Sequence, residues 1–251
     1  KFDIIFHLAA QAGVRHSIDN PNAYIEANIK GFLNILEGAR QNNVKHLIYA
    51  SSSSVYGLSN KPFFSEDDIT DKQISFYAAS KKSNEVMAYS YSHLYKIPCT
   101  GLRFFTVYGP WGRPDMAYFK FVQQILNDEE IDVYGQGKMS RDFTYIDDVV
   151  FALVNLMTVI PKIDLNIDKN VPHEIFNIGN NKTENLEKFI SIIENELNKK
   201  AKKRYIDFQL GDVVNTSANI NKINEFIKYE PKTSIEQGLR LFINWYKSFY
   251  K

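Results

Sequence analysis

The sequence predicts an α/β protein built around a parallel sheet. Short apolar runs alternate with longer amphipathic stretches, a pattern typical of β-α-β units. The predicted strands cover residues 4–10, 46–50 and 99–105. The predicted helices between them, at about residues 21–42 and 76–96, are long enough to cross back over the sheet, so the three strands should run parallel.

Beyond Gly109 the chain changes character, and this change predicts a second, smaller lobe. Glycine and proline punctuate this part of the sequence and mark loops. We therefore expect a first domain over residues 1–109 and a second over 110–251, with some segments of the second part returning to the first sheet. The elements predicted there are helices at about residues 116–128, 183–200 and 234–249 and strands near 174–178 and 205–208.

Composition and charge narrow the class of protein. The 251 residues are 44% hydrophobic, enough for a globular core. Because 30 Lys and Arg nearly balance 29 Asp and Glu, no net field holds a nucleic-acid backbone or a membrane surface, and small molecules are the expected partners. The single cysteine, Cys99, predicts a core thiol and a reducing, cytoplasmic setting. No run approaches the roughly eighteen apolar residues of a membrane span, and no signal peptide is evident.

Tyr77 and Lys81 are the first candidates for chemistry. They lie four residues apart at the start of a predicted helix, so both side chains project from one face. An ammonium close to a phenol lowers the phenol pKa from about 10 towards the working pH, as a general base requires. With 15 Tyr and 30 Lys and Arg in the chain, chance supplies roughly one to two such spacings. Tyr134 and Lys138 share the spacing, but the glycines between them disfavour a helical face, so we interpret that pair as coincidence.

A cluster of hydroxyl groups follows the strand at residues 46–50. The chain continues Ser51-Ser52-Ser53-Ser54-Val55-Tyr56-Gly57. Ligands of open α/β sheets bind at the C-terminal ends of the strands, where this cluster lies. Four serines in a row also fit a plain polar turn. Together with Tyr77, however, the cluster indicates a catalytic site.

These residues carry a resemblance to a known family. Ser52, Val-Tyr-Gly at 55–57 and Tyr-x-x-x-Lys at 77–81 resemble the signature of the extended short-chain dehydrogenase/reductases. The stretches at 102–115 and 138–148 are similar to those of bacterial and plant UDP-glucuronate 4-epimerases, and the similarity extends over the whole chain. The resemblance implies a Rossmann-type parallel sheet with a smaller α/β substrate-binding domain, NAD as cofactor, no metal, and NAD-dependent C4 epimerisation of a UDP-uronic acid.

The resemblance also implies roles for individual residues. Tyr77 would be the base on the sugar 4-hydroxyl, Lys81 its pKa partner and a ligand of the nicotinamide ribose, and Ser52 the hydroxyl that orients or relays the proton. The residues implied in cofactor binding are Leu8, Ala9, Ala10, Ala50, Ser51, Tyr77, Lys81 and Phe105. From sequence alone, the two alanines at positions 9 and 10 fit helix packing nearly as well as a close approach to the cofactor.

A further set of residues is implied in substrate binding. Hydroxyl groups would hold the sugar carboxylate together with the catalytic Ser52, and charged groups would hold the nucleotide. Arg141 would contact the pyrophosphate, Asp212 the ribose and Arg113 the region of the base. The hydroxyl residues are Ser51, Ser53 and Thr106. A structural ion pair of Arg141 with Asp142 or Asp147 is the alternative.

The chain departs from the family pattern in two places. It contains no Gly-x-x-Gly-x-x-Gly turn to seat the cofactor pyrophosphate, and its first residues already read as a buried strand. We therefore expect a truncated polypeptide that lacks roughly the first three strands of the family sheet, with cofactor retention left open. At residues 211–219 the chain ends in Ser-Ala-Asn where the family more often has Tyr-Ala-Asp, so contacts near Ser217 also stay open.

Alternatives remain for the reaction and for the assembly. Related dehydratases and decarboxylases generally carry Glu just before Val-Tyr-Gly, and the dehydratases add Asp before it, whereas this chain has Ser54 and Ser53. A non-catalytic nucleotide-sugar-binding fragment is the alternative from another class. Which UDP-sugar is preferred stays open at this point. The helices at 21–42 and 76–96 correspond to those of a four-helix dimer interface in relatives, so the resemblance implies a homodimer.

Overall fold

The structure, a computed structural model, describes residues 2–59, 61–164, 170–208 and 215–250. Its contacts divide the chain into two compact units. The first unit combines Lys1–Phe104, Ala152–Ile178 and Asn219–Tyr229. The second combines Phe105–Phe151, Gly179–Ala218 and Glu230–Lys251. The sequence-based boundary at residue 109 lies a few residues beyond the end of the first segment.

Strands and helices alternate along the described residues. The strands are β1 (Ile4–His7), β2 (His46–Ala50), β3 (Cys99–Phe104), β4 (Thr106–Tyr108), β5 (Glu130–Val133), β6 (Ser140–Tyr145), β7 (His173–Ile178), β8 (Thr183–Asn185) and β9 (Lys202–Tyr205). The α-helices are α1 (His16–Asp19), α2 (Pro21–Tyr24), α3 (Gly31–Gln41), α4 (Phe76–Tyr95), α5 (Ala117–Leu126), α6 (Ile146–Leu156), α7 (Leu186–Leu197), α8 (Asn221–Ile227) and α9 (Ile235–Phe249). Short 3₁₀ helices cover Ser53–Tyr56 and Tyr134–Gly137.

The first unit contains a parallel sheet in the order β1-β2-β3-β7. Ile4 pairs with His46 and Leu47 with Cys99, so the predicted parallel arrangement of the first three strands is confirmed. Apolar side chains from α3 and α4 pack against β2 and β3 in one core. Cys99 lies in that core as predicted, and burial raises the pKa of its thiol to about 12, which makes it a poor nucleophile at neutral pH.

The second unit has smaller sheets and a larger aromatic core. The strands β4, β6 and β8 form one sheet, while β5 and β9 pair in parallel. The helices α5, α7 and α9 supply most of the core side chains. Phe143 stacks on Phe189 with ring centroids 4.4 Å apart, and Phe242 packs edge-on against Tyr118 at 4.8 Å.

Several predicted boundaries in the chain are wrong. The first strand ends at His7 rather than at residue 10, and the strand predicted at 205–208 lies at β9, with Tyr205 its last residue. The helix predicted from residue 183 begins at Leu186, because β8 first pairs with β6 and Asn185 then caps the helix by accepting from the N–H groups of residues 187 and 188. The sequence prediction missed β4, β5, β6, α6 and α8.

The helix predicted at 21–42 is interrupted by a π-helical segment, Ile25–Lys30. Within it, Asn28 is almost fully buried, and its amide donates to Ser80 Oγ at 2.9 Å. The widened turn leaves the Asn28 carbonyl free to accept from the Asn84 amide at 2.6 Å. The hydrogen bonds of Asn28 therefore join the π-helical segment to α4.

Candidate active site

The start of α4 places Tyr77 and Lys81 on one helical face. Ser75 caps the helix with its side chain, which accepts from the N–H of Ala78 at 3.1 Å. This cap fixes the first turn, so Tyr77 and Lys81 follow one turn apart. Tyr77 is half-buried, and the ring of Tyr24 packs edge-on against it with centroids 6.1 Å apart. The sequence analysis did not identify Tyr24.

Lys81 is a buried ammonium held at the end of a strand. Its side chain is 3% exposed, and Nζ donates to the carbonyl oxygen of Ala50 at 2.9 Å. Ala50 ends β2, so the bond ties the helix to the C-terminal edge of the sheet. Burial lowers the pKa of Lys81 to about 8, which leaves the group mostly charged at neutral pH.

The serine cluster forms a turn in which each hydroxyl has its own surroundings. Ser52 caps the 3₁₀ helix Ser53–Tyr56 and accepts from the N–H of Ser54 at 3.1 Å. Since this bond uses an oxygen lone pair, the Ser52 proton stays available for donation. The polar-turn interpretation is therefore correct for the backbone, and it leaves a chemical role for Ser52 intact. Ser53 is half-buried.

Ser51 makes a contact that the sequence analysis missed. It is 2% exposed, and its hydroxyl donates to Oε1 of Glu85 at 2.6 Å. Glu85 also forms a buried ion pair with Arg103 of β3. The Ser51 proton is therefore donated to Glu85 inside the protein. Donation from Ser51 to a sugar carboxylate stays a prediction, and the contact with Glu85 does not favour it. The sequence offers one signal for Glu85: it lies four residues after Lys81, so both side chains project from the same side of the helix.

The small residues after β1 lie on the same edge of the sheet. Leu8, Ala9 and Ala10 are all exposed, so they do not pack beneath a helix in the described structure. Burial, and then the positive charge of Lys81, lower the pKa of His7, which ends β1. The C-terminal end of β1 therefore lies within electrostatic reach of Lys81.

The second unit holds the remaining predicted residues. Phe105 is buried and Thr106 half-buried where β4 begins. Arg113 is exposed and paired with Asp115 at 3.3 Å, while Arg141 on β6 is half-buried and donates to the Ser140 carbonyl at 3.1 Å. Asp212 lies outside the described residues.

Asp142, considered above as a partner of Arg141, binds backbone instead. Its two carboxylate oxygens accept from the N–H groups of Asn180, Asn181 and Ala218 at 2.7 to 3.1 Å. The side chain is fully buried, and burial raises its pKa to about 6 in spite of these bonds. Asp142 therefore fastens two loops to β6, a role that sequence spacing could not reveal.

Within the described residues, a metal-binding cluster and a membrane-spanning helix are both absent. Among residues 2–59, 61–164, 170–208 and 215–250, no group of three or more His, Cys, Asp or Glu side chains could hold a metal ion. Within the same part of the chain, no helix combines the length and the apolar character that crossing a membrane requires.

Comparison with known proteins assigns the family. Residues 1–179 match the model of the NAD dependent epimerase/dehydratase family. The chain belongs to this family. The chain is 51% identical to Protein CapI of Staphylococcus aureus, over 99% of the chain and 77% of that protein. It is 45% identical to a probable UDP-glucuronate 4-epimerase of Rhizobium meliloti, over 99% of the chain and 76% of that protein.

A solved structure of this epimerase/dehydratase family has the same fold. The UDP-glucuronic acid 4-epimerase from Bacillus cereus, in complex with UDP-glucuronic acid and NAD, matches with a TM-score of 0.91 at 33% identity. The match covers 99% of this chain and 76% of that one. The predicted family and the predicted Rossmann-type α/β fold are thereby confirmed.

NAD is the cofactor of the family, and part of the described site fits it. The buried ammonium of Lys81 and the hydroxyl of Tyr77 are suited to hydrogen bonds with ribose hydroxyls. The exposed small residues at positions 9 and 10 leave room for a flat ring. The fit therefore extends to the nicotinamide half of the cofactor.

Proposed function

We propose that this chain catalyses NAD-dependent epimerisation at C4 of a UDP-uronic acid and interconverts UDP-glucuronate and UDP-galacturonate through a 4-keto sugar. The observation that carries the proposal is the placement of Tyr77 and Lys81 on one helical turn, with Lys81 bound to the strand end that leads into Ser52. The relatives and the solved structure named as UDP-glucuronate 4-epimerases support the choice of substrate.

The described residues can perform the proton transfers of this reaction. Tyr77 takes the proton of the sugar 4-hydroxyl, and the Lys81 ammonium stabilises the phenolate that makes this possible. The Ser52 hydroxyl donates a hydrogen bond to the sugar 4-oxygen and orients it, since its lone pair already accepts from the backbone. NAD, when bound, supplies the acceptor and donor for the C4 hydride. The hydride returns to C4 on the opposite face of the sugar while Tyr77 returns its proton to the 4-oxygen, so no net oxidation occurs.

The remaining residues are assigned to binding. In this proposal the nicotinamide half of NAD lies against the residues predicted for it, with Tyr77 and Lys81 as ribose ligands. Ser53 and Thr106 hold the uronate carboxylate, Arg141 the pyrophosphate and Arg113 the region of the base. The cofactor residues are Leu8, Ala9, Ala10, Ala50, Ser51, Tyr77, Lys81 and Phe105. Dehydration and decarboxylation fit less well, because those reactions need an extra acid or base where this chain has Ser53 and Ser54.

Incubating the full-length protein with NAD and UDP-glucuronate tests the proposal. We expect UDP-galacturonate to form without a stoichiometric change in NADH. Binding of UDP-glucuronate without turnover would instead support a non-catalytic nucleotide-sugar-binding protein. Release of CO₂ or formation of an unsaturated sugar would point to a decarboxylase or a dehydratase.

The assembly proposed is a homodimer through α3 and α4. Both helices carry large apolar side chains on their exposed surfaces, among them Leu33, Val86 and Leu94. Exposed apolar side chains mark interaction sites where they form a contiguous surface. A second copy of the chain that presents the same helices would bury it symmetrically.

A further inference from the structure

A buried ion pair lies on the same face of α4 as the proposed catalytic pair. Glu85 follows Lys81 by four residues and Tyr77 by eight, so the three side chains line one side of the helix. Its partner is Arg103 of β3, and each of the two side chains is only 3% exposed. Two parallel bonds join them, Arg103 Nε to Glu85 Oε1 at 2.9 Å and Nη2 to Oε2 at 3.0 Å.

The same carboxylate holds the serine turn. Oε1 of Glu85 also accepts the hydroxyl of Ser51 at 2.6 Å, and Ser51 is the residue before the proposed catalytic Ser52. One carboxylate thus connects the catalytic helix, strand β3 and the turn that follows β2. A displacement of Glu85 would move α4 relative to this turn.

The guanidinium fixes the other end of the turn. Arg103 Nη1 donates to the hydroxyl of Tyr56 at 3.0 Å, and the guanidinium lies over the Tyr56 ring, 4.8 Å from its centroid. The Tyr56 hydroxyl in turn donates to Oδ1 of Asn177 on β7 at 2.6 Å. Residues 51 and 56, which bracket the serine turn, are therefore both bound to the Glu85–Arg103 pair.

Electrostatics keeps both groups charged. Burial raises the pKa of Glu85, but the hydrogen bonds and charge of Arg103 outweigh it and leave that pKa below its usual value. Burial lowers the pKa of Arg103, and Glu85 outweighs that effect in the other direction. Because replacing a buried ion pair with apolar side chains is often neutral or stabilising, stability alone does not account for a charged pair here.

We propose that Glu85 and Arg103 are positioning residues that set the distance between Ser52 and the Tyr77–Lys81 pair. The inference deepens the proposed function and rests on it for the roles of Ser52, Tyr77 and Lys81. Neither residue needs to touch the substrate, since Glu85 acts through Ser51 and through its own helix, and Arg103 acts through Tyr56. Their effect should appear in the rate of the chemical step and leave nucleotide-sugar binding intact.

Steady-state kinetics of Glu85→Gln in the full-length protein with NAD tests this. A misplacement of about 1 Å costs on the order of a hundredfold in rate, so we expect kcat for UDP-glucuronate to fall by roughly tenfold to a hundredfold while KM changes by less than about threefold. The matched control is Asp132→Asn, which breaks an exposed arginine–carboxylate pair between β5 and β9 and should leave both constants unchanged.

A second variant separates positioning from folding. Glu85→Gln leaves Arg103 buried without its partner and destabilises the protein, whereas Glu85→Leu/Arg103→Leu removes both charges and should regain thermal stability. We expect kcat of the double variant to stay low. Recovery of kcat together with stability would overturn the inference and reduce the pair to a structural one.

A measurement without turnover separates this inference from the proposed function. The titration of Tyr77, followed by the NMR signal of its labelled ring carbon, reports how closely the Ser52 hydroxyl approaches it, because a hydrogen bond donated to the phenolate lowers the phenol pKa. We expect a higher Tyr77 pKa in both Glu85 variants than in the wild type and in Asp132→Asn. If the wild type does not epimerise UDP-glucuronate, the proposed function fails. An unchanged Tyr77 titration in the Glu85 variants would by itself overturn the positioning role.

Discussion

At the scale of single residues, the proposed chemistry depends on the phenol of Tyr77. Tyr77→Phe removes the ionisable oxygen and keeps the ring, including its edge-on contact with Tyr24. We expect epimerisation to be abolished while UDP-glucuronate binding, measured by calorimetry, survives. Turnover near the wild-type rate would refute the assignment of Tyr77 as the base.

The buried charge of Lys81 should lower the free energy of unfolding, although the proposed catalysis needs this group. The pKa of Lys81 is about 8 in the folded state and 10.5 in the unfolded chain. Between pH 8 and 10.5 the folded state therefore binds fewer protons than the unfolded state, and the stability of the protein rises with pH. Below pH 8 the buried charge costs up to about 3 kcal/mol. We expect Lys81→Met to unfold at higher denaturant concentration at pH 7 and to lose the stability gain between pH 8 and 10.5. Denaturant titrations at pH 7 and pH 10 measure both effects.

The same variant should change the kinetics in the opposite sense. Without the ammonium, the Tyr77 phenolate is less favoured, so the pH optimum of epimerisation should move to more basic values and NAD should bind more weakly. An unchanged pH–rate profile in Lys81→Met would mean that Lys81 has only a structural role.

Thr106 tests the preference for a charged sugar. A uronate carries a carboxylate where a neutral hexose carries a hydroxymethyl group, and a hydrogen bond to a charged acceptor is worth roughly 1.5 to 3 kcal/mol. We expect kcat/KM to favour UDP-glucuronate strongly over UDP-glucose, and Thr106→Val to narrow that ratio by about tenfold or more. Equal efficiency of the wild type on both sugars would move the protein towards the neutral UDP-hexose epimerases.

The sequence predicted the catalytic candidates because they are local in the chain. Tyr77 and Lys81 are one helical turn apart, and Ser52 follows a strand that its apolar run makes easy to locate. The partners of Ser51 and Asp142 could not be found in the same way. Glu85 comes from a different element than Ser51, and the N–H groups that Asp142 binds lie dozens of residues further along the chain.

At the scale of elements, a pattern that is visible in the local sequence again decides which strands were predicted. The strands β2 and β3 are buried along nearly their whole length, β2 with an almost continuous apolar run and β3 with apolar residues at positions 99, 102 and 104, and their bounds were close to correct. In contrast, β5 and β9 are short and carry charged residues: β5 alternates polar and apolar side chains over only four residues, and β9 has no apolar period. The π-helical segment is also invisible in the apolar pattern, since its cause is the burial of Asn28.

The turn that contains the serine cluster depends on Gly57. Its φ of 61° lies in the left-handed region, and a Cβ there would collide with the carbonyl oxygen of Lys72. We expect Gly57→Ala to destabilise the protein by about 2 kcal/mol or more, measured by denaturant unfolding. Gly38→Ala in α3 is the matched control, because nothing lies within 4 Å of its Cβ position, and it should gain up to about 1 kcal/mol. Equal effects of the two substitutions would contradict this account of the turn.

At the scale of the whole molecule, the surface of α4 bears on the proposed homodimer. Val86 is 59% exposed, and Tyr89 and Leu94 are also exposed on the same helix. Val86 and Tyr89 are three positions apart and face in similar directions, while Leu94 extends the exposed apolar surface towards the end of the helix. A stable dimer buries about 800 Å² on each partner, an area that one helix alone does not supply, and α3 offers Leu33 beside it.

Val86→Glu should therefore convert the dimer into a monomer. The substitution places a carboxylate within the proposed symmetric interface. There it would meet the carboxylate of the second copy or apolar surface, and either contact opposes association. Light scattering during size exclusion at roughly 10 µM should give a dimer for the wild type and a monomer for the variant, since a dimer whose Kd lies well below this concentration is almost fully formed. The matched control is Val150→Glu on α6, where an exposed valine outside the proposed interface should leave the mass unchanged. A monomeric wild type at this concentration, or a variant that stays dimeric, would show that α3 and α4 are not the dimer interface.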